Sequence, residues 1–282
     1  MTIQNIKAHS HSDKSKIALI AGNGSLPEKV ILDFLKSNRD IFVILIGNTP
    51  APPSIDKVPH AIINIGLIGK CISTLRKENI TDIVFAGGLQ RPKIKDLRLD
   101  ATGIKLVAKI TKAKFIGDNS LLSLIIDFFE KAGFNIIGVD QILPEILMPK
   151  GIIGKIKPTH SEFNDIKSGS KLARNIGSLD IGQSVIIQDG IIIGVEAIEG
   201  TDELIKRCSK LQIGGKGGIL IKMKKPNQDI RIDLPTIGTK TVETAHDNGL
   251  AGIAIEADSA LIIDQELVAK TADKLGIFVI GI

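Results

Sequence analysis

Asp233 and Arg231 stand two apart in the stretch Ile230-Arg231-Ile232-Asp233-Leu234-Pro235-Thr236-Ile237-Gly238. On an extended backbone that spacing points both side chains to one face. Pro235 removes a backbone donor and turns Leu234 away from the helical conformation. The stretch predicts a stiff, non-helical connection that displays a carboxylate, a guanidinium and the Thr236 hydroxyl. Thr241 follows as a candidate cap for the next helix. The plainer reading is a strand end with a surface salt bridge, since strand-end carboxylates are common.

Other loops repeat the pattern of glycine beside polar groups. Gly22-Asn23-Gly24-Ser25 follows one apolar run and opens a helical one. Glycines let the backbone approach an anion, and a helix N-terminus offers free N–H groups. A dinucleotide site needs a third glycine, where Pro27 stands, and an acid after the second strand, where Gly47-Asn48 stands. Nicotinamide binding is therefore disfavoured, and a simple tight turn stays open as an alternative. Phe85-Ala86-Gly87-Gly88-Leu89-Gln90-Arg91-Pro92 follows a second apolar run. Gly88 and Gln90 line that loop, and Arg91 can reach a phosphate from it. Asp118 of Gly117-Asp118-Asn119-Ser120 is either a ligand or a helix cap. The second half adds Gln183 in Leu179-Asp180-Ile181-Gly182-Gln183. It also adds Glu196-Ala197-Ile198-Glu199-Gly200-Thr201-Asp202, with Thr201 or Asp202 as the cap of the helix that follows. Taken one at a time these carboxylates read as structural. Several of them, in Gly-rich loops of two adjoining domains, suggest an interdomain cleft for a phosphorylated ligand and a divalent cation.

The elements that must position these groups follow from hydrophobic period. Short apolar runs at 16–21, 41–46, 61–65, 82–86 and 134–139 read as buried parallel strands. Helical spacing separates them, as in 26–37 and 118–131. Pro144, Pro149, Gly151 and Gly154 mark a hinge over 144–156. Beyond it a helix over 162–176 precedes a hairpin over 184–195, whose Asp189-Gly190 is a strong turn signal. The expected fold is α/β with two domains and a ligand cleft between them. Residues 1–15 form a polar tail, 16–143 a Rossmann-like parallel domain, and 157–282 a catalytic α/β domain.

Composition removes several classes. No Trp or Tyr occurs among the 282 residues, so stacking platforms for bases are nearly missing and nucleic acid is not an expected partner. Cys71 and Cys208 are isolated, without metal-ligand spacing or a disulfide framework, which fits a reducing cytoplasm. No P-loop and no nucleophile elbow occur. The histidines form no dimetal pattern, because His60, His160 and His246 stand alone outside the tail. Residues 1–146 hold 19 basic and 14 acidic side chains, and the remainder holds 17 of each. The excess centres on Arg91, Lys93, Lys95, Arg98, Lys105, Lys109, Lys112 and Lys114. Such a run is either a solvated face or a contact for an anionic ligand or membrane surface. No apolar run approaches the ~20 residues of a membrane span.

Together, five segments carry a resemblance. Leu-Ile-Ala-Gly-Asn-Gly-Ser-Leu-Pro (19–27), Phe-Ala-Gly-Gly-Leu-Gln-Arg-Pro (85–92), Leu-Asp-Ile-Gly-Gln (179–183), Val-Glu-Ala-Ile-Glu-Gly-Thr-Asp (195–202) and Arg-Ile-Asp-Leu-Pro-Thr-Ile-Gly (231–238) occur in order. The chain resembles the LpxI-type UDP-2,3-diacylglucosamine pyrophosphatases of lipid A synthesis. The resemblance implies Mg²⁺-dependent hydrolysis of the diphosphate of UDP-2,3-diacylglucosamine to UMP and 2,3-diacylglucosamine 1-phosphate, with water attacking the sugar-side phosphorus. It implies that Asp233 is the essential carboxylate and a candidate metal ligand. Asp118 is a weaker candidate, because Asn119 stands where the family often has a second Asp. Gly22, Gly24, Ser25, Gly88, Gln90, Arg91, Gln183, Glu199, Gly200, Thr201, Asp202 and Thr236 become candidate substrate contacts. The implied location is the cytoplasm, peripherally on the inner membrane, with a homodimer possible. Salt-sensitive sedimentation with anionic vesicles would report the membrane contact. The alternative is a non-catalytic nucleotide-sugar or lipid-phosphate binding protein. Release of UMP separates the two.

Overall fold

The computed structural model describes residues 16–89, 97–112, 118–215, 217–226 and 228–282. They form two compact units. One draws on the described residues of Met1–Thr111 with Ile126–Ile137, the other on those of Lys112–Ile125 with Gly138–Ile282.

The first unit is built on β1 (Ile17–Ala21), β2 (Ile41–Ile46), β3 (His60–Ile63), β4 (Asp82–Ala86) and β5 (Asn135–Ile137). They make one sheet, ordered β3-β2-β1-β4-β5, with every pair parallel. All five residues of β1 are buried. The strand does not alternate, because helices cover both faces of such a sheet. α1 (Leu26–Lys36) packs through Leu26, Val30, Ile31 and Phe34, the i, i+4, i+5, i+8 face of a helix. α2 (Ile68–Lys77) and α3 (Ala101–Lys112) continue the run, and α4 (Asp118–Lys131) follows them in the chain, its residues 126–131 belonging to this unit. Strand order reverses between β1 and β4, and open α/β sheets leave a crevice at the carboxyl ends of such a pair.

The second unit starts with α5 (Val139–Ile142), β6 (Gly151–Ile153), α6 (His160–Ser178), β7 (Ser184–Gln188), β8 (Ile191–Val195) and α7 (Thr201–Cys208). It continues through β9 (Gly218–Lys222), β10 (Thr236–Ile237), α8 (Thr239–Asp247), β11 (Leu250–Ile255), β12 (Leu261–Ile262), α9 (Gln265–Leu275) and β13 (Phe278–Gly281). The main sheet is mixed, in the order β6-β13-β11-β9-β7-β8, and β10 pairs with β12 beside it. Neighbouring strand residues go to opposite faces. Ile186, Leu220, Ile253 and Val279 join one core with Leu204, Val242 and Val268 of α7, α8 and α9. Val185, Ile187, Ile219, Ile221 and Phe278 join the other with Ile166 and Ala173 of α6. Asp189 and Gly190 both take positive φ, 49° and 76°, as a two-residue hairpin turn of primed type requires.

Residues 144–156 contain β6, whose Ile152 pairs antiparallel with Ile280. Met148 of the same stretch is fully buried in the core. Two helix caps differ from expectation. α7 begins at Thr201 itself after Gly200, and α8 begins at Thr239 after Gly238. The Thr201 hydroxyl makes other bonds, described below. Among the described residues no helix is long and apolar enough to cross a membrane.

Candidate active site

In the first unit the loops after β1 and β4 lock together. Asn23 N–H donates to the Gly88 carbonyl at 2.7 Å, and Gly88 N–H returns to the Asn23 carbonyl at 2.9 Å. Gly22 N–H donates to the Ala86 carbonyl at 2.8 Å. A Cβ on Gly22 would sit 2.5 Å from the Gly88 oxygen, and one on Gly87 2.6 Å from the Asn23 oxygen. Gly22 is therefore glycine because another backbone lies against it. Gly24 and Gly88 are different. An added Cβ on either meets nothing within 4 Å, and Gly24 has φ +107°. Gly24 and Ser25 are exposed and precede the N-terminus of α1, where Ser25 makes no side-chain cap bond. Open backbone at a helix N-terminus of this kind suits an anion. Gln90 and Arg91 lie outside the described residues.

In the second unit Asp233 is partly buried, and its Oδ2 accepts from Gln228 Nε2 at 2.5 Å. Gln228 is buried, and its Oε1 accepts from the Lys225 backbone N–H at 3.0 Å. That bond decides which end of the amide faces Asp233. Lys225 Nζ in turn donates to Asp180 Oδ1 at 2.7 Å. Arg231 does not share a face with Asp233 as an extended chain would require. The backbone turns, with Ile232 and Asp233 N–H groups both donating to the Asp229 carbonyl. Arg231 then grips Asp229 through Nε at 2.9 Å and a terminal nitrogen at 2.7 Å. The Arg231 hydrogen bonds outweigh desolvation and hold the Asp229 carboxyl below its usual range.

Gln183 and Thr201 meet at Glu196, the buried acid that opens the 196–202 stretch, and Thr236 joins them through Lys222. Glu196 Oε2 accepts from Gln183 N–H at 3.1 Å, and its Oε1 accepts from the Thr201 hydroxyl at 2.8 Å. Gln183 Oε1 is buried with no hydrogen-bond partner among the described residues. Lys222, at the end of β9, donates to Thr201 Oγ1 at 3.1 Å and to the Thr236 carbonyl at 3.3 Å. The Thr236 hydroxyl donates to the Leu234 carbonyl at 2.9 Å. Glu199 belongs to a separate clip: Arg207 holds it at 2.8 Å. A bond from its own backbone N–H, then Arg207, lowers its carboxyl pKa. Gly200 has φ +81° where the chain enters α7.

Asp202 stays apart from these bonds and faces Lys240 at 3.5 Å. Asp118 opens α4, and its side chain lies outside the described residues. Sequence reasoning missed Lys222, Gln228 and Asp140, whose Oδ1 is buried and without a partner among the described residues. Lys222 alone left a signal, a charge closing the apolar strand Gly-Ile-Leu-Ile-Lys. Among the described residues no three His, Cys, Asp or Glu side chains gather to hold a metal ion.

A parallel sheet ordered 3-2-1-4-5 with glycine loops at its switch point, followed by a mixed-sheet unit bearing the Asp233 loop, defines a two-domain α/β protein of Rossmann-like first domain. Two family models match the chain one after the other. The LpxI N-terminal domain matches residues 16–146, and the LpxI C-terminal domain matches residues 149–280. The chain is 39% identical over 273 residues to the UDP-2,3-diacylglucosamine pyrophosphatase LpxI of Caulobacter vibrioides, covering 95% of this chain and 97% of that protein. The chain belongs to the LpxI family. Among solved structures, N5-carboxyaminoimidazole ribonucleotide synthetase of Thermotoga maritima aligns at 18% identity, covering 64% of this chain and 41% of that one. Its TM-score of 0.22 carries no argument.

Proposed function

We propose that this chain is a hydrolase that cleaves the diphosphate bridge of UDP-2,3-diacylglucosamine, giving UMP and 2,3-diacylglucosamine 1-phosphate. The observation that carries the reading is the 39% identity, over 95% of the chain, to a protein of that name. The chemistry asks for three things: a held diphosphate, an oriented water and charge neutralisation as the P–O bond breaks. The open backbone at Gly24, Ser25 and Gly88 suits the first. Asp233 suits the second: Gln228 fixes one carboxylate oxygen, and no other hydrogen bond among the described residues engages its side chain. Water adds to the sugar-side phosphorus, the bridging oxygen leaves with UMP, and the water proton passes to solvent or to Asp233.

Mg²⁺ belongs to this proposal. It commonly takes one or two carboxylates and completes its shell with phosphate oxygens and water, so a site need not contain a cage of protein acids. Asp233 fits such a role through its second oxygen, with Asp118 as the weaker candidate. When bound, the ion would neutralise charge on the diphosphate. Contact with an anionic membrane surface along Arg91–Lys114 and a homodimer form part of the same reading.

The test is UMP release from UDP-2,3-diacylglucosamine by the purified chain, with Mg²⁺ and with chelator, and by Asp233→Ala. The wild type should turn over with Mg²⁺, stop with chelator, and resume when Mg²⁺ is restored. Asp233→Ala should bind substrate and release almost no UMP. Binding without UMP release by the wild type would leave a nucleotide-sugar binding protein instead.

A further inference from the structure

Lys222 is a buried lysine in an unusual setting. It ends the central strand β9, opposite Ile255 of β11 and Ser184 of β7. Its residue is 8% exposed. No carboxylate among the described residues forms an ion pair with it. Glu196 reaches it only through the Thr201 hydroxyl, which donates to the acid at 2.8 Å and accepts from the lysine at 3.1 Å. Burying an ammonium group without a direct counter-charge is unfavourable, and a methionine of similar length would fill the same space. Stability of the strand therefore gives no reason for a charge here.

Its partners give one. Thr201 is the first residue of α7, and the Thr236 carbonyl belongs to the segment three residues beyond Asp233. That segment is held on its other side by Leu261 N–H, which donates to the Pro235 carbonyl at 2.7 Å. We propose that Lys222 is a positioning residue: its ammonium group clamps the Thr201 hydroxyl to the Thr236 carbonyl and so fixes the loop that presents Asp233. This rests on the hydrolase reading above for its kinetic consequence, but not for its structural one. Lys222 reaches Asp233 only through the backbone of the intervening loop, so substrate affinity should change less than turnover.

The experiment compares wild type, Lys222→Met and Lys222→Arg in UMP release, thermal unfolding and amide hydrogen exchange. Displacing a reacting group by about 1 Å can lower the rate about 100-fold, so Lys222→Met should lose about 10- to 100-fold in kcat with KM within about threefold. Lys222→Arg should recover part of that loss. Exchange in Lys222→Met should accelerate in residues 229–238 and 197–202 and stay unchanged in β11 and β13. Wild-type kcat in folded Lys222→Met, or uniform acceleration across the unit, overturns the proposal. If the wild type itself releases no UMP, the hydrolase reading fails, and the exchange pattern alone still decides the role of Lys222.

Discussion

Gln228→Leu is the sharpest probe of how Asp233 is held. The substitution removes the 2.5 Å bond from Nε2 to Asp233 Oδ2 and also leaves the Lys225 backbone N–H without its acceptor. A hydrogen bond to a charged group contributes about 1.5–3 kcal/mol. If that energy serves to orient the carboxylate in the transition state, about 1.4 kcal/mol per factor of ten makes the loss about 10- to 100-fold in kcat. The orphaned N–H adds about 1–3 kcal/mol of destabilisation, because Lys225 is buried. For a unit of this size each kcal/mol lowers Tm by about 2–4 °C. The assay is UMP release at a temperature where calorimetry shows both proteins fully folded, with Asp233→Asn measured beside it. Gln228→Leu should fall between wild type and Asp233→Asn. A folded Gln228→Leu enzyme within about twofold of wild-type kcat would refute the reasoning, because the amide would then hold an acid that turnover does not need.

Two glycines in adjoining loops should behave oppositely. Gly22→Ala places a Cβ 2.5 Å from one backbone oxygen and 2.8 Å from another, so thermal unfolding should show a loss of about 2 kcal/mol or more. Gly88→Ala meets nothing within 4 Å, so its Tm should stay near wild type while KM rises; a neutral Gly22→Ala would contradict the interlocked loops. The Arg231–Asp229 pair should show in the pH dependence of stability. The folded-state pKa of Asp229 is depressed, so its contribution is full above the ordinary value of 3.8 and is lost as pH falls through the lower folded value. Arg231→Met should therefore destabilise at pH 7, by about 1 kcal/mol or less given partial solvent screening, and the difference from wild type should vanish in strong acid. Equal destabilisation at both ends of a denaturant–pH series would rule out that pair as its source.

Much of the architecture follows from the local order of residues. Ile-Phe-Val-Ile-Leu-Ile at 41–46 is apolar throughout, and only a strand covered on both faces is served by that pattern. Asp189-Gly190 between apolar runs specifies a hairpin, because both residues tolerate positive φ. Order and period thus carried the α/β class, the parallel first sheet and the loops that bear glycine and acid. Partner choice did not follow. Arg231 was expected beside Asp233 from their spacing, but a turn at 229–233 gave it to Asp229 instead. Thr201 looked like a helix cap and became a link between Glu196 and Lys222. The missing side chain of Gly22 leaves room for the Gly88 carbonyl, a neighbour 66 positions along the chain. Lys222 meets Thr201 across 21 residues of chain and Thr236 across 14. Contacts at that separation depend on which strands lie side by side, and periodicity reports only which face of a strand is buried.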